Sequence, residues 1–269
     1  MDICIVIKEA VFFLEETNAL ADLIRRQQPS LQQHTLFKEW TIEQIIRHLH
    51  FWNVAARISL EDQQGVNRLL EAAIPRIMAE GVRPLEDEQY AHFSGAELLS
   101  AWEQDAHRTS SAFRTANPEE RLPWVGPPMN ARSSISARLM ETWAHGQAIY
   151  DVCGLIREDT DRIYPIVELG IRTFGWTYAV RGEEKPKTKP FVRLIAPSGE
   201  VWTFNDSRED ERIEGSATSF CQIVTQTRSI KDVSLNVTGS VASDWMNKAQ
   251  CFAGGPEIPP APGVRRRSI

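Results

Sequence analysis

Trp40-Thr41-Ile42-Glu43-Gln44-Ile45-Ile46-Arg47-His48-Leu49-His50-Phe51-Trp52 carries a helix start, a helical period and two histidines within one short stretch. Thr41 followed three residues later by Gln44 is a capping box, in which each side chain reaches the other's backbone N–H. Ile42, Ile45, Ile46, Leu49 and Trp52 recur at the 3.6-residue period of an amphipathic helix. His48 lies among Ile45, Leu49 and Trp52, on the apolar side. His50 is two residues further on, about 200° around the helix, and faces elsewhere. Of the two, His48 is therefore the one that points into a helical core. A lone histidine there is ordinarily a hydrogen-bonded core residue, so a functional reading needs further groups.

Glu141 and His145 supply them. Four residues apart on one predicted helix, their Cβ atoms lie about 5–6 Å from each other on one face. A carboxylate oxygen and an imidazole nitrogen at that spacing can share one ion. With His48, two histidines and one carboxylate form a divalent metal set that leaves coordination positions open, as catalytic rather than structural sites do. Zinc is the default ion, and Ni(II), Fe(II) and Mn(II) suit the same ligands.

Around these residues the chain reads as α+β, an up-down helical bundle followed by a smaller mixed domain. Phe12, Leu14, Leu20, Leu23 and Ile24 mark an opening helix that ends before Pro29. Ser94-Gly95-Ala96-Glu97 reads as a second capping box, opening a helix through Leu98, Leu99, Trp102 and Phe113. Residues 123–129 form a Pro/Gly loop. The helix after it carries Leu139, Met140, Trp143 and Ile149 and stops at Gly154, and another covers about 165–180. Residues 181–190 are charged or turn-forming and contain no apolar side chain, which marks a linker or exposed turn. Beyond them, 191–196 and 201–204 around Pro197-Ser198-Gly199-Glu200 predict a hairpin. A helix near 217–227, a strand at 233–237 and a helix at 240–252 follow. The expected division is 1–181 for the bundle, 190–258 for the α+β domain and 259–269 for a flexible basic tail.

Composition narrows the function. The 269 residues are 42% hydrophobic and 25% charged, enough to fill a core, and the net charge of −6 attracts neither nucleic acid nor anionic membrane. The basic run Arg265-Arg266-Arg267 reads as solvated tail. Cys4, Cys153, Cys221 and Cys251 are scattered, so free thiols in a reducing compartment are expected. The start, Met-Asp-Ile-Cys-Ile-Val-Ile, lacks a basic segment and a long apolar run, and no stretch approaches the ~20 apolar residues that span a bilayer. A cytoplasmic protein is expected, with a small-molecule substrate as partner, no nucleic acid, no membrane, and at most a second copy of itself as a homodimer.

The stretch from Trp40 to Leu49 resembles the second-helix signature of the DinB-like metal-binding bundles. It is similar in particular to the N-terminal domain of the mycothiol-dependent maleylpyruvate isomerase family, which pairs a His-Leu there with a later Glu-x-x-x-His, here Glu141-Thr142-Trp143-Ala144-His145. The run from Ala137 to Gly146, with Gly215-Ser216-Ala217 and Val237-Thr238-Gly239, looks closer still to an uncharacterised bacterial, metal-binding branch of that superfamily. The resemblance covers the bundle to about residue 180 and then a sterol-carrier-like α+β domain. It implies a metal held by His48, Glu141 and His145, with water or a low-molecular-weight thiol cosubstrate in the remaining positions. The C-terminal arginine that helps bind substrate in that family has its nearest match in Arg228. Trp52, on the His48 face, is placed as a wall of the pocket. Arg138, three residues before Glu141, could orient that carboxylate or bind an anionic substrate, although a plain surface ion pair is the ordinary role.

The resulting expectation is a metal-dependent enzyme, a thiol-dependent isomerase or transferase acting on a small electrophile. The alternatives are a hydrolase using metal-activated water and a non-catalytic metal or small-ligand binder. The acidic charge speaks against DNA binding.

Overall fold

The computed structural model describes residues 6–265, so Cys4, Arg266 and Arg267 lie outside the described residues. The chain forms two compact units, Met1–Cys153 and Gly154–Ile269.

In the first unit, α1 (Lys8–Gln27), α2 (Ile42–Glu61), α5 (Gly95–Arg114) and α6 (Ala131–Val152) make a four-helix bundle. Each of α1 and α2 packs against both α5 and α6. Two further helices, α3 (Gln63–Glu80) and α4 (Arg83–Gln89), lie between α2 and α5 in sequence and pack on α2. The bundle interior is filled by the periodic apolar residues, with Ile42, Ile45, Ile46 and Leu49 of α2 fully buried beside Trp102. Trp143 is likewise fully buried.

Local chemistry sets the helix starts. Thr41 accepts from the Gln44 N–H at 3.2 Å, while the Thr41 N–H donates to the Gln44 side chain at 3.0 Å, so the capping box forms as read. At α5 it does not. Gly95 takes a left-handed φ of +54°, and the Ser94 backbone carbonyl, not its hydroxyl, accepts from the Glu97 and Leu98 N–H groups. Asn130 caps α6 through a 2.8 Å bond from the Ser133 N–H. The expected helices do not include α3, which holds Pro75 in its interior and buries Val66, Leu70 and Ala73. Val66, Leu69, Leu70, Ala73, Ile74 and Ile77 do recur at helical spacing, and the interior proline is what argues against a helix there. Between α5 and α6, the two-residue strands β1 (Arg121–Leu122) and β2 (Met129–Asn130) pair antiparallel and frame the Pro/Gly loop.

In the second unit the expected helix over 165–180 is broken at Thr173 into α7 (Tyr164–Arg172) and α8 (Phe174–Ala179). Here α7 packs on α9 (Ala217–Val224), which groups it with the C-terminal residues and not with a bundle reaching to 181. The contact is close: a Cβ on Gly170 would fall 2.9 Å from Phe220 and Val224, so only glycine fits. The sheet has the order β4-β3-β5-β6, with β3 (Phe191–Ile195) and β4 (Val201–Phe204) as the expected hairpin. The central strand β5 (Arg212–Ser216), parallel to β3 and antiparallel to β6 (Leu235–Thr238), was not anticipated. Its sequence Arg-Ile-Glu-Gly-Ser offers one apolar side chain, Ile213, and follows a charged run. Val192, Leu194 and Ile213 form the sheet's buried face. Phe174, Phe220 and Trp245, the last from α10 (Ser240–Met246), make edge-on aromatic contacts in the helical layer. The described part of the tail is tied down: the Gly263 N–H donates to Asp232, and Arg265 donates to the Gln226 carbonyl.

No helix among the described residues is long and apolar enough to cross a membrane. Trp102→Ala removes a fully buried indole from the bundle. Denaturant unfolding is expected to show a loss of about 3–5 kcal/mol.

Candidate metal centre

The bundle brings α2 and α6 side by side, and with them His48, Glu141 and His145. One ligand atom from each lies within 4.8 Å of the other two. Glu141 Oε2 is 3.2 Å from His145 Nε2 and 3.7 Å from His48 Nε2. Ligands about 2.0–2.1 Å from a shared zinc in a tetrahedron stand about 3.3 Å apart, so this half-buried donor set fits a divalent ion with small adjustments.

Helix phase sends the two histidines of α2 in different directions, but it does not keep His50 out of the core as expected, since His50 is 2% exposed. His48 faces Glu141 and His145. His50 is buried elsewhere, bonded through Nε2 to Asp105 Oδ2 at 2.6 Å and stacked on Tyr90 with ring centroids 4.2 Å apart.

Charges in the centre are matched in pairs. Burial works against a charged His48 ring, but Glu86 and Glu141 outweigh it and lift its pKa to about 9. Burial also opposes a charged Glu141, yet His145, His48 and Arg138 hold its carboxyl well below the usual carboxylate range. For His145 burial prevails and lowers the pKa, favouring the neutral ring, which is the form that binds metal.

Several residues of the centre carry no role that the sequence assigns. Glu86 is buried, and its Oε1 lies 2.7 Å from His48 Nδ1 while accepting from Trp52 Nε1 at 2.9 Å. It sits on α4 in Arg83-Pro84-Leu85-Glu86-Asp87-Glu88, a run that reads as a solvated charged segment. Phe37 and Trp40, from the loop before α2, enclose His145. Phe37 meets the ring edge-on at 4.8 Å, and Trp40 stacks parallel at 5.9 Å. Lys38 and Glu39 between them hold left-handed φ values of +49° and +57°, closed by the Thr35 N–H donating to the Trp40 carbonyl. That strained turn is what carries both rings to one side. Trp124 of the Pro/Gly loop packs 5.5 Å from Trp52.

The remaining candidates fall as follows. Trp52 is buried on the His48 face, and its indole N–H is committed to Glu86. Arg138 is not a surface residue: it is 4% exposed, 3.8 Å from Glu141 Oε1, with its guanidinium 5.6 Å from the Trp124 ring centre. Three residues before Glu141 on α6 it shares that residue's inward face, and this draws it inside. Arg228 belongs to the second unit, where it is buried just after α9 and donates to the Thr227 carbonyl at 3.0 Å.

Asp105 offers a clean pH test. Its hydrogen bond with His50, helped by Arg57 and Arg108, lowers its pKa against the opposing effect of burial. A depressed carboxyl contributes stability that is present above the unfolded pKa and lost as pH falls through the folded value. Asp105→Asn is expected to cost about 1 kcal/mol at pH 7, the partial exposure keeping it small. Urea unfolding at stepwise lower pH should show the gap to wild type closing below about pH 4.

Comparison with known proteins places the chain in a family. The model of the mycothiol maleylpyruvate isomerase N-terminal domain matches residues 13–150, which include all three candidate ligands. Uncharacterised proteins from two Mycobacterium tuberculosis strains, CDC 1551/Oshkosh and H37Rv, are each 36% identical over 217 residues, covering 81% of this chain and 84% of theirs. A crystal structure of the mycothiol-dependent maleylpyruvate isomerase aligns with a TM-score of 0.49 at 15% identity, covering 80% of this chain and 88% of that one. By the family match and the mycobacterial relatives, the chain belongs to the family of the mycothiol maleylpyruvate isomerase N-terminal domain.

Proposed function

We propose that the chain is a metal-dependent enzyme, a thiol-dependent isomerase or transferase acting on a small electrophilic substrate. The observation that carries this reading is the meeting of His48, Glu141 and His145 in one half-buried cluster inside the bundle. A divalent ion there, zinc by default, would lower the pKa of a bound thiol or polarise a carbonyl. Three protein ligands leave room for such a group.

The chain's own residues do the rest. His48 and Glu141 bind from two different helices, so the ligand geometry is only as firm as the packing of α2 on α6. His145 offers a neutral ring. Phe37, Trp40 and Trp52 surround the two imidazoles and exclude water, which strengthens every charge interaction inside. The family supports the thiol, since the matched domain takes its name from a mycothiol enzyme.

Elemental analysis of purified wild type, His48→Ala and Glu141→Ala is the direct check. The expected result is about one divalent ion per wild-type chain and a large loss in both variants. Stoichiometric metal in both variants would remove the ligand assignment. For the cosubstrate, thermal-shift measurements of the metal-loaded protein with mycothiol, bacillithiol and glutathione should show stabilisation by at least one. No shift with any of them turns the reading toward hydrolysis or simple binding.

A further inference from the structure

The two imidazoles of the cluster are held differently. The Nδ1 of His145 is buried and has no hydrogen-bond partner. It is ringed instead by Phe37 and Trp40. The Nδ1 of His48 lies 2.7 Å from the Glu86 carboxylate, which is 1% exposed. A carboxylate only accepts, so the ring nitrogen must donate. This leaves Nε2 of His48, 3.7 Å from Glu141 Oε2, as the nitrogen that would hold a metal once its proton is displaced.

The carboxylate has its own supports. The same Oε1 accepts from the Trp52 indole, one turn after His48 on α2. The next residue of α4, Asp87, accepts from Arg47 at 2.9 Å, and Arg47 also pairs with Glu43 at 2.6 Å. Successive residues of α4 are thus bonded to successive residues of α2, Asp87 to Arg47 and Glu86 to His48. Burying a carboxylate is costly unless its charge is used; the ring of His48 lies directly on Glu86, and the buried Arg138 guanidinium acts on it at longer range.

We propose that Glu86 is a positioning residue of the metal centre, fixing His48 as the Nδ1–H tautomer and making its Nε2 a stronger donor through charge delivered across the ring. The inference rests on the metal reading above. It assigns α4 a task, which is to hold one buried carboxylate against α2. Outer carboxylates of this kind orient an imidazole and raise its basicity, and losing one costs roughly 10–100-fold in metal affinity.

The test compares wild type, Glu86→Gln, Glu86→Ala and Asp87→Ala. Zinc affinity is measured by chelator competition, and His48 is observed by ¹H–¹⁵N NMR in the zinc-loaded proteins. Wild type should show a slowly exchanging Nδ1–H on His48. Glu86→Ala should lose that signal and roughly tenfold or more in affinity. Glu86→Gln keeps an acceptor without the charge, so it should retain the ring N–H while losing affinity. Asp87→Ala loosens the same helix and should leave affinity within twofold of wild type. Affinity within twofold of wild type in Glu86→Gln, which serves even where Glu86→Ala does not fold, would overturn the proposal. An Asp87→Ala loss equal to that of Glu86→Ala would overturn it as well, by making α4 a structural brace. Wild type without stoichiometric zinc removes the metal reading itself, whereas zinc bound by every variant with the affinity of wild type removes only the role of Glu86.

Discussion

A carboxylate placed between two imidazoles inside a helical bundle must be charged to be useful and matched to be tolerated. Moving an ion out of water costs several kcal/mol even after relaxation, and only close opposite charge and hydrogen bonds offset it. Glu141 is in that position, with His145, His48 and Arg138 around it. Much of the first unit follows from this constraint. α2 and α6 must pack close enough for Nε2 of His48 to face Oε2 of Glu141. Arg138 is drawn inside on the same face of α6. A second carboxylate, Glu86, must then be brought in to balance His48.

The bundle meets these demands with polar groups grafted on an otherwise apolar interior. Ile42, Ile45, Ile46 and Leu49 pack α2 tightly, which fixes its rotation and hence the direction of His48. Aromatic rings complete the enclosure: Phe37 and Trp40 on His145, Trp52 and Trp124 on the side of His48 and Arg138. The left-handed turn at Lys38 and Glu39 shows backbone strain accepted where it orients Phe37 and Trp40. His50, one position past Leu49, shows the opposite outcome for the same residue type. Turned toward α5, it finds Asp105 and becomes a structural hydrogen bond.

What could be read from the chain was what repeats at a fixed local spacing. The capping box at Thr41, the apolar stripe of α2, the four-residue interval from Glu141 to His145 and the β3–β4 hairpin are all patterns within a few turns or one strand pair. Where the local signal was weak the reading thinned. An internal proline interrupts the helical period of α3, and β5 has a single apolar side chain, although it is central in its sheet. The Ser94 box had the right letters, but Gly95 turned left-handed and the backbone carbonyl did the capping.

By itself, the sequence determined the helix faces, and through them that His48 and His50 leave α2 in different directions and that Glu141 and His145 share one face of α6. Helix phase follows from 3.6 residues per turn and needs no knowledge of neighbours. The tertiary structure alone decided the surroundings of those ligands. Glu86, Phe37, Trp40 and Trp124 come from loops and a short helix whose letters match those of solvated segments. Arg138 exchanged an expected surface pair for a buried one. Such placements depend on which segments lie across from one another in space, and no local period encodes that.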